Sequence, residues 1–401
     1  MTLASIQTIG TGAMKRYKLT WELNSTDGKR HRKSKTFPVG VNKSTVLSFK
    51  RKVEEEYALG ELGLMENKTM NNLIEVYLTD YSKFVSPTTL SGYKTMLYCK
   101  KDKKGIAYYF DNVLLKKVTT QTVQHYVTFL MNCGLKPKTV RHYINLLNVL
   151  MTVAENLGYI RHNTNPCKNV RLPKKETSNN VDVFTAEEVR YLLNFAEQNN
   201  NETALLIITL GALCGLRRGE MCGLKWENVQ LDGFPEIHIT ETIVEAEGIT
   251  YTKPPKSKSG IRTIPIGENV VKILKKVKTN YEYRKDKYKD SFVDTGYVLN
   301  HEKTGMNLQP EAVNSRYLRF MKKQGKVPYR NLHNLRHTFA SLLAANGVSP
   351  KAMQNLLGHS DCYTSIQIYT SVYRDNLRDD TNRLDSSIFK NHTNNQVEKT
   401  G

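Results

Sequence analysis

The sequence predicts a multidomain chain. It has an α+β unit at the N-terminus, an all-α middle domain, and a mainly α C-terminal domain that carries a small β-sheet. Three observations support this. The first sixty or so residues alternate in strand fashion and then turn helical. Segments from about Lys68 to Lys174 repeat apolar residues at i, i+3 and i+4. A polar, unperiodic stretch, "PKKETSNNV" (Pro173–Val181), then precedes a region in which helices flank a short β-rich run. At 401 residues the chain is long enough for two or three domains with cores of their own.

The N-terminal unit is expected over residues 1–65. "RYKLTWEL" (Arg16–Leu23) alternates as a strand does, "STDGKR" supplies an Asp27-Gly28 turn, and "HRKSKTF" returns as the partner strand. "STVLSFKRKVEEEYALG" closes the unit as a helix, with Gly60 as its stop. Lys29, Arg30, Arg32, Lys33 and Lys35 fall within seven residues. Lysines on an edge strand can serve only to keep it soluble. This strand also has the width and charge to enter a major groove, so the five are candidate DNA contacts.

The middle domain is expected over residues 66–174. "TMNNLIEVYLTDYSKF", "SPTTLSGYKTMLYCKK", "TTQTVQHYVTFLMNCG" and "KPKTVRHYINLLNVLMTVAENLG" each carry the helical period. Ser86 is an N-cap followed by Pro87 at the first helical position, and Gly134 and Gly158 end helices. Lys136, Lys138, Arg141 and His142 lie on or just before the last helix. They are either phosphate contacts or a solvated face.

Residues 175–181 read as a linker. The C-terminal domain, 182–389, starts sharply with a T-x-x-E capping box at Thr185 and Glu188 and an apolar staple between Phe184 and Val189. Helices alternate there with "EIHITETIVEAEGITYTK" and "RTIPIG", and then resume. The tail, 390–401, is polar and expected to be disordered. No internal repeat is present.

The formal charge is 59 − 38 = +21, carried by a chain that is 39% hydrophobic and therefore folded. Such a charge favours a polyanionic partner, nucleic acid before membrane. Six cysteines are scattered with no CxxC pair, which suggests reduced thiols and a cytoplasmic setting. The N-terminus lacks the long apolar core of a signal peptide. The longest apolar run, Ala204–Leu216, is too short to span a bilayer and reads as a buried helix.

Four patterns in the C-terminal domain carry chemistry. In "GALCGLRRGEMCGLKW", a long apolar helix delivers Arg217 to its end, with Glu220 three residues on. A guanidinium matches two phosphate oxygens, and the plain alternative is a structural Arg–Glu pair. In "KSKSGIRTIPI", Lys258 sits in a turn between strands, where a lysine is plain surface or a mobile proton donor. In "NLHNLRHTFASLL", His333 and Arg336 share a helical face, with His337 nearby. No carboxylate lies in that stretch and no H-E-x-x-H occurs, so a phosphate clamp with imidazole beside it fits better than a metal site. In "LLGHSDCYTSIQIYTSVY", Gly358 ends a helix begun by Ser349 and Pro350. His359 follows, and Tyr369 comes ten residues later, with Tyr363 and Tyr373 as alternatives.

Together and in this order, "GLRRGE", "KSKSG", "HNLRH", "LGHS" and a tyrosine ten residues after the last histidine resemble the tyrosine recombinase (phage-type integrase) family, most of all integrases of conjugative transposons and related phages. The resemblance covers about residues 180–385 and extends through "KPKTVRHYINLLNVLMTVAENLG". It also reads the N-terminal unit as a three-stranded sheet with a helix, like an arm-binding domain. It implies that Arg217 and Arg336 are the paired arginines on the scissile phosphate, that Lys258 is the hairpin lysine, that His333 is the histidine of H-x-x-R, and that His359 is the histidine that some members replace with tryptophan. Tyr369 would be the nucleophile and His337 structural. It further implies no cofactor or metal, recombination through a Holliday junction by a tetramer on double-stranded DNA, core and arm sites, and a bacterial cytoplasmic setting, and it leaves open whether an accessory excision factor takes part. The segment Arg374–Phe389 would pack in cis or dock on a neighbour. Competing readings are a DNA-binding regulator without catalysis, a relaxing topoisomerase with the same tyrosine chemistry, and a metal-dependent nuclease.

Overall fold

The computed structural model describes residues 4–24, 30–58, 67–174, 182–255 and 258–358, with 381, 384 and 385 near the C-terminus. The Asp27-Gly28 turn, Lys29, Gly60, the linker, His359, Tyr363, Tyr369, Tyr373 and the tail lie outside the described residues. The chain divides into two compact units, residues 1–176 and 177–401.

The first unit opens with an antiparallel sheet of three strands, β1 (Ala4–Ile9), β2 (Arg16–Asn24) and β3 (Arg30–Thr36), in that spatial order. A helix, α1 (Lys43–Ala58), covers one face. The alternation of β2 explains which one. Tyr17 and Leu19 are buried, and they form a small core with Ala4, Phe37, Val46 and Val53. The same period splits the basic strand. Lys33 and Lys35 sit opposite Trp21 and Leu19 and so share the helix face. The Lys35 ammonium lies 4.1 Å from the centre of the Phe49 ring on α1. Arg32, opposite Glu22, belongs to the open face. The expected stripe is therefore divided between two faces. The open face also carries Arg16, Lys18, Thr20 and Ser34.

A separate core holds the helical part of this unit: α2 (Met70–Val76), α3 (Pro87–Leu97), α4 (Ile106–Phe110), α5 (Thr120–Asn132) and α6 (Pro137–Asn156). Ser86 accepts from the Thr89 N–H, as an N-cap before proline should. Gly134 and Gly158 take φ of +76° and +70° just past the ends of α5 and α6. Lys136 and Lys138 are exposed. Arg141 instead turns two guanidinium nitrogens onto the Pro173 carbonyl, at 3.0 and 2.6 Å, and ties down the chain that leaves α6.

In the second unit Thr185 and Glu188 close the expected capping box at the start of α7 (Ala186–Gln198), and Phe184 and Val189 are both buried. The apolar run begins as α8 (Glu202–Ile208), widens into a π turn at Thr209–Leu213 and stops at Gly215, φ +69°. Arg217 is thus not at the end of that helix, as the sequence suggested. It is the N-cap of the next one, α9 (Arg218–Gly223). The β-rich run makes two sheets. One joins β4 (Val229–Gln230), β5 (Glu236–Ile239) and β8 (Arg262–Pro265), and the other is the hairpin of β6 (Thr242–Ala246) and β7 (Ile249–Lys253). The remaining helices are α10 (Glu268–Tyr288), α11 (Pro310–Gln324), α12 (Leu332–Ala345) and α13 (Pro350–Leu357). No helix among the described residues is long and apolar enough to cross a membrane.

Candidate active site

The site is built where α9, α12, α13 and the turn before β8 meet. Glycines make the approach possible. A Cβ on Gly211 would lie 2.8 Å from the Leu335 Cβ, and one on Gly215 would lie 2.3 Å from the Phe339 ring, so α12 packs directly on bare backbone. At the other end, a Cβ on Gly358 would stand 2.7 Å from the Ser259 carbonyl oxygen. Gly358 itself takes φ +62° and ends α13.

Three arginines close that helix end. The last carbonyls of a helix lack intrahelical donors and carry the negative end of its dipole. Here Leu356 accepts from the Arg262 Nε at 2.7 Å, Leu357 accepts from the Arg336 Nη2, and Gly358 accepts from the Arg217 Nη2 at 3.2 Å. Arg336 also donates to the Gly215 carbonyl at 2.6 Å. Three consecutive carbonyls are thus held by three side chains from different elements.

The same arginines converge on Glu220. Arg262 grips both carboxylate oxygens, at 3.1 and 2.9 Å, Arg217 pairs at 2.7 Å, and Arg336 stands at 3.9 Å. The Glu220 side chain is 3% exposed, Arg336 4% and Arg262 5%, whereas Arg217 is 38% exposed. Burial alone would raise the Glu220 carboxyl. Arg262, then Arg217, overcome it and hold the group down at about 2. Glu220 also accepts from the Arg217 backbone N–H at 2.9 Å, which fixes the start of α9.

His333 lies one turn from Arg336 on α12, exposed to solvent, with the His337 ring edge-on 4.7 Å away. Desolvation, then the charges of His337, Arg336 and Arg217, push its pKa down to about 4. It is therefore neutral at pH 7, an acceptor beside a cluster of cations. Lys258 opens the short helical turn Lys258–Gly260, next to Gly358 through Ser259. The structure thus brings Arg217, Arg336, His333 and the Lys258 backbone to one place, against the residue that precedes His359.

Sequence reasoning missed two features. Glu220 was read only as a partner for Arg217, and Arg262 was passed over. A signal for Arg262 was present. It shares the inward parity of Ile264 and Ile266, both buried, so a charge stands where the alternation asks for an apolar residue.

A phage integrase family profile matches residues 182–375, and a profile of phage integrase N-terminal SAM-like domains matches residues 69–131. The ICEBs1 integrase of Bacillus subtilis strain 168 is 24% identical over 358 residues, 88% of this chain and 93% of that protein. A XerC-like tyrosine recombinase of Caldanaerobacter subterraneus subsp. tengcongensis is 29% identical over 267 residues, 62% of this chain and 66% of that protein. Among solved structures, the integrase of transposon Tn1549 in complex with transposon right end DNA matches with a TM-score of 0.63 at 22% identity, covering 79% of this chain and all of that one. At that identity the likeness is one of fold. Motif order and profiles together define the class, a site-specific recombinase of the tyrosine type. The chain belongs to the phage integrase family.

Proposed function

We propose that this chain integrates and excises a mobile element by cutting and rejoining DNA through a 3′-phosphotyrosine and a Holliday junction. The observation that carries the reading is the convergence of Arg217, Arg336 and the Lys258 turn on the last carbonyls of α13, one residue before His359. A phosphodiester under attack gathers negative charge on its non-bridging oxygens, and preorganised guanidinium donors meet that charge with little reorganisation. The Tyr369 Oη attacks phosphorus, and the bond to the 5′-oxygen breaks. The Lys258 ammonium gives its proton to that oxygen, and neutral His333 takes the tyrosine proton. His359 completes the phosphate contacts. A 5′-hydroxyl from the partner duplex then reverses the step, with no ATP, because the phosphotyrosine keeps the free energy of the bond.

On this reading residues 1–65 hold arm sites, residues 66–174 the core site together with 182–389, and four copies act on two duplexes. A lambda integrase tetramer bound to a Holliday junction shares the fold, with a TM-score of 0.53 at 19% identity, and lends the tetramer its support. Among the arm contacts the open-face residue Arg32 suits a groove, and Arg30 is proposed beside it. Lys29 is proposed from the sequence alone. Lys33 and Lys35 reach DNA only past the helix face. Lys136 and Lys138 are proposed phosphate contacts, whereas Arg141 acts on its own chain through Pro173. The chain works on bacterial DNA in the cytoplasm.

The test is a nicked duplex that carries the junction sequence of the chain's own element, incubated with EDTA and run on a denaturing gel. A covalent protein–DNA band that survives EDTA and vanishes with Tyr369→Phe is the expected result. A band that persists in Tyr369→Phe moves the nucleophile to Tyr363 or Tyr373. Tight binding with no covalent band supports the regulator instead.

A further inference from the structure

We infer that Arg262 is a positioning residue for proton donation to the leaving group, a buried clasp that fixes the Lys258 turn against the phosphate-binding arginines. This rests on the reading of Lys258 as general acid. Arg262 begins β8, three residues after Ser259. Its guanidinium reaches three elements at once. The Nη1 donates to the Gly260 carbonyl, inside the Lys258 turn, at 3.2 Å. The Nε holds Leu356 near the end of α13, and Nη1 and Nη2 hold the two oxygens of Glu220 on α9. Glu220 in turn holds Arg217.

The Arg262 Nε, Nη1 and Nη2 are each engaged by protein acceptors, the Leu356 and Gly260 carbonyls and the two Glu220 oxygens, so Arg262 acts through other groups. A lysine on a tight turn carries several rotatable bonds, and efficient proton donation demands a defined position of the turn itself. Arg262 supplies that position by tying the turn to both α9 and α13 with one side chain. The planar fork matters, because one ammonium cannot span a carboxylate and two carbonyls in the same plane.

The discriminating experiment varies the leaving group. Nicked junction duplexes are made with an ordinary scissile phosphate or with sulfur in place of the bridging 5′-oxygen. A thiolate leaves without being protonated, so the modified DNA removes the need for an acid. Covalent complex is measured in single turnover for the full-length wild type, Lys258→Ala and Arg262→Lys, with DNA affinity measured in parallel.

We expect Lys258→Ala to lose about a hundredfold on ordinary DNA, the lower range for a general acid, and Arg262→Lys at least about tenfold. Both should return close to wild type on the sulfur substrate, with affinity little changed. A merely structural defect would persist on both substrates. Should Lys258→Ala be rescued while Arg262→Lys is not, the positioning role is overturned and the acid stands. Should Lys258→Ala itself not be rescued, the acid reading falls and this inference with it.

Because Arg262→Lys breaks the two-point contact of a buried ion pair and can fail to fold, Gly260→Ala provides a second route. A Cβ there would meet the Pro255 Cβ at 2.4 Å, so the turn must shift while neither member of the Arg262–Glu220 pair is replaced. The same rescue by sulfur is expected, and an equal defect on both substrates would overturn the proposal.

Discussion

Arg262 and Glu220 form a two-point ion pair, guanidinium to carboxylate at 2.9 and 3.1 Å, with both side chains at least 95% buried. One carboxylate faces three guanidinium groups there, so its charge is what makes the cluster tolerable in a dry interior.

Replacing it should therefore be costly. Glu220→Gln keeps the shape but leaves Arg262 and Arg217 with no counter-charge, and breaking a buried pair in this way costs about 3–5 kcal/mol. Urea unfolding of the wild type and the variant should show that loss. Acid should expose the same linkage. The Glu220 pKa is about 2 in the fold, against roughly 4.3 for a free glutamate. A depressed carboxylate contributes stability that is complete above the unfolded value and is lost as pH falls towards the folded one. The wild type should weaken between about pH 4.5 and 2, and Glu220→Gln should lack that component.

Gly215 offers a second prediction, on packing. Its backbone takes φ +69° and its missing Cβ leaves room for the Phe339 ring, 2.3 Å from where that atom would be. Gly215→Ala combines left-handed strain with overpacking, together about 2–5 kcal/mol. It also shifts the carbonyl that holds Arg336. The control is Gly134→Ala, where φ is +76° and nothing lies within 4 Å. That variant should lose only about 1–2 kcal/mol, the backbone term alone. Equal losses in chemical denaturation would refute the packing argument.

These two glycines also mark where the sequence was legible and where it was not. Helical periods, the Ser86 and Thr185 caps and the glycine stops are local, set by neighbours within a turn, and the sequence displays them directly. The motif set that gathers Arg217, Lys258, His333 and Arg336 was legible by resemblance. The Arg262 clasp was not, because it depends on Glu220 and Leu356, which lie 42 and 94 residues away. The π turn after Ile208 was hidden for a related reason. An apolar run looks the same whether its last turn is tight or wide, and here the placement of Gly211 against α12 accompanies the wide one. The basic strand misled differently. Counting charges ignored the two-residue period, which sends Lys33 and Lys35 to one face and Arg32 to the other.

That division predicts distinct mutant behaviour. Lys18→Ala and Arg32→Ala, on the open face, should weaken arm-site binding. Each should lower the slope of log affinity against log salt by about 0.9 for every phosphate it no longer neutralises. Lys35→Ala should instead cost about 0.5–1 kcal/mol of stability, because the Phe49 ring then faces no cation. Binding isotherms at several salt concentrations, with a melt of each variant, separate the two. A salt slope that changes most in Lys35→Ala would mean that the helix face meets the DNA.

The last prediction concerns His333. Its pKa is about 4 in the fold, against 6.5 for an ordinary histidine. Between these values the unfolded chain takes up a proton that the folded chain refuses. Stability therefore rises with pH through this window and is independent of this group above about 6.5. His337 is shifted the same way, by desolvation and by Arg336, so it adds to the slope rather than cancelling it. His333→Asn should flatten the dependence of the urea midpoint on pH between about 6.5 and 4 without abolishing it, because His337 remains. The same depression keeps His333 unprotonated at neutral pH, ready to accept the tyrosine proton. Single-turnover cleavage by His333→Asn should fall by about a hundredfold or more at pH 7, with binding retained. A variant that keeps the wild-type pH slope would show that the His333 ring carries no linkage, and one that cleaves at the wild-type rate would assign the proton elsewhere.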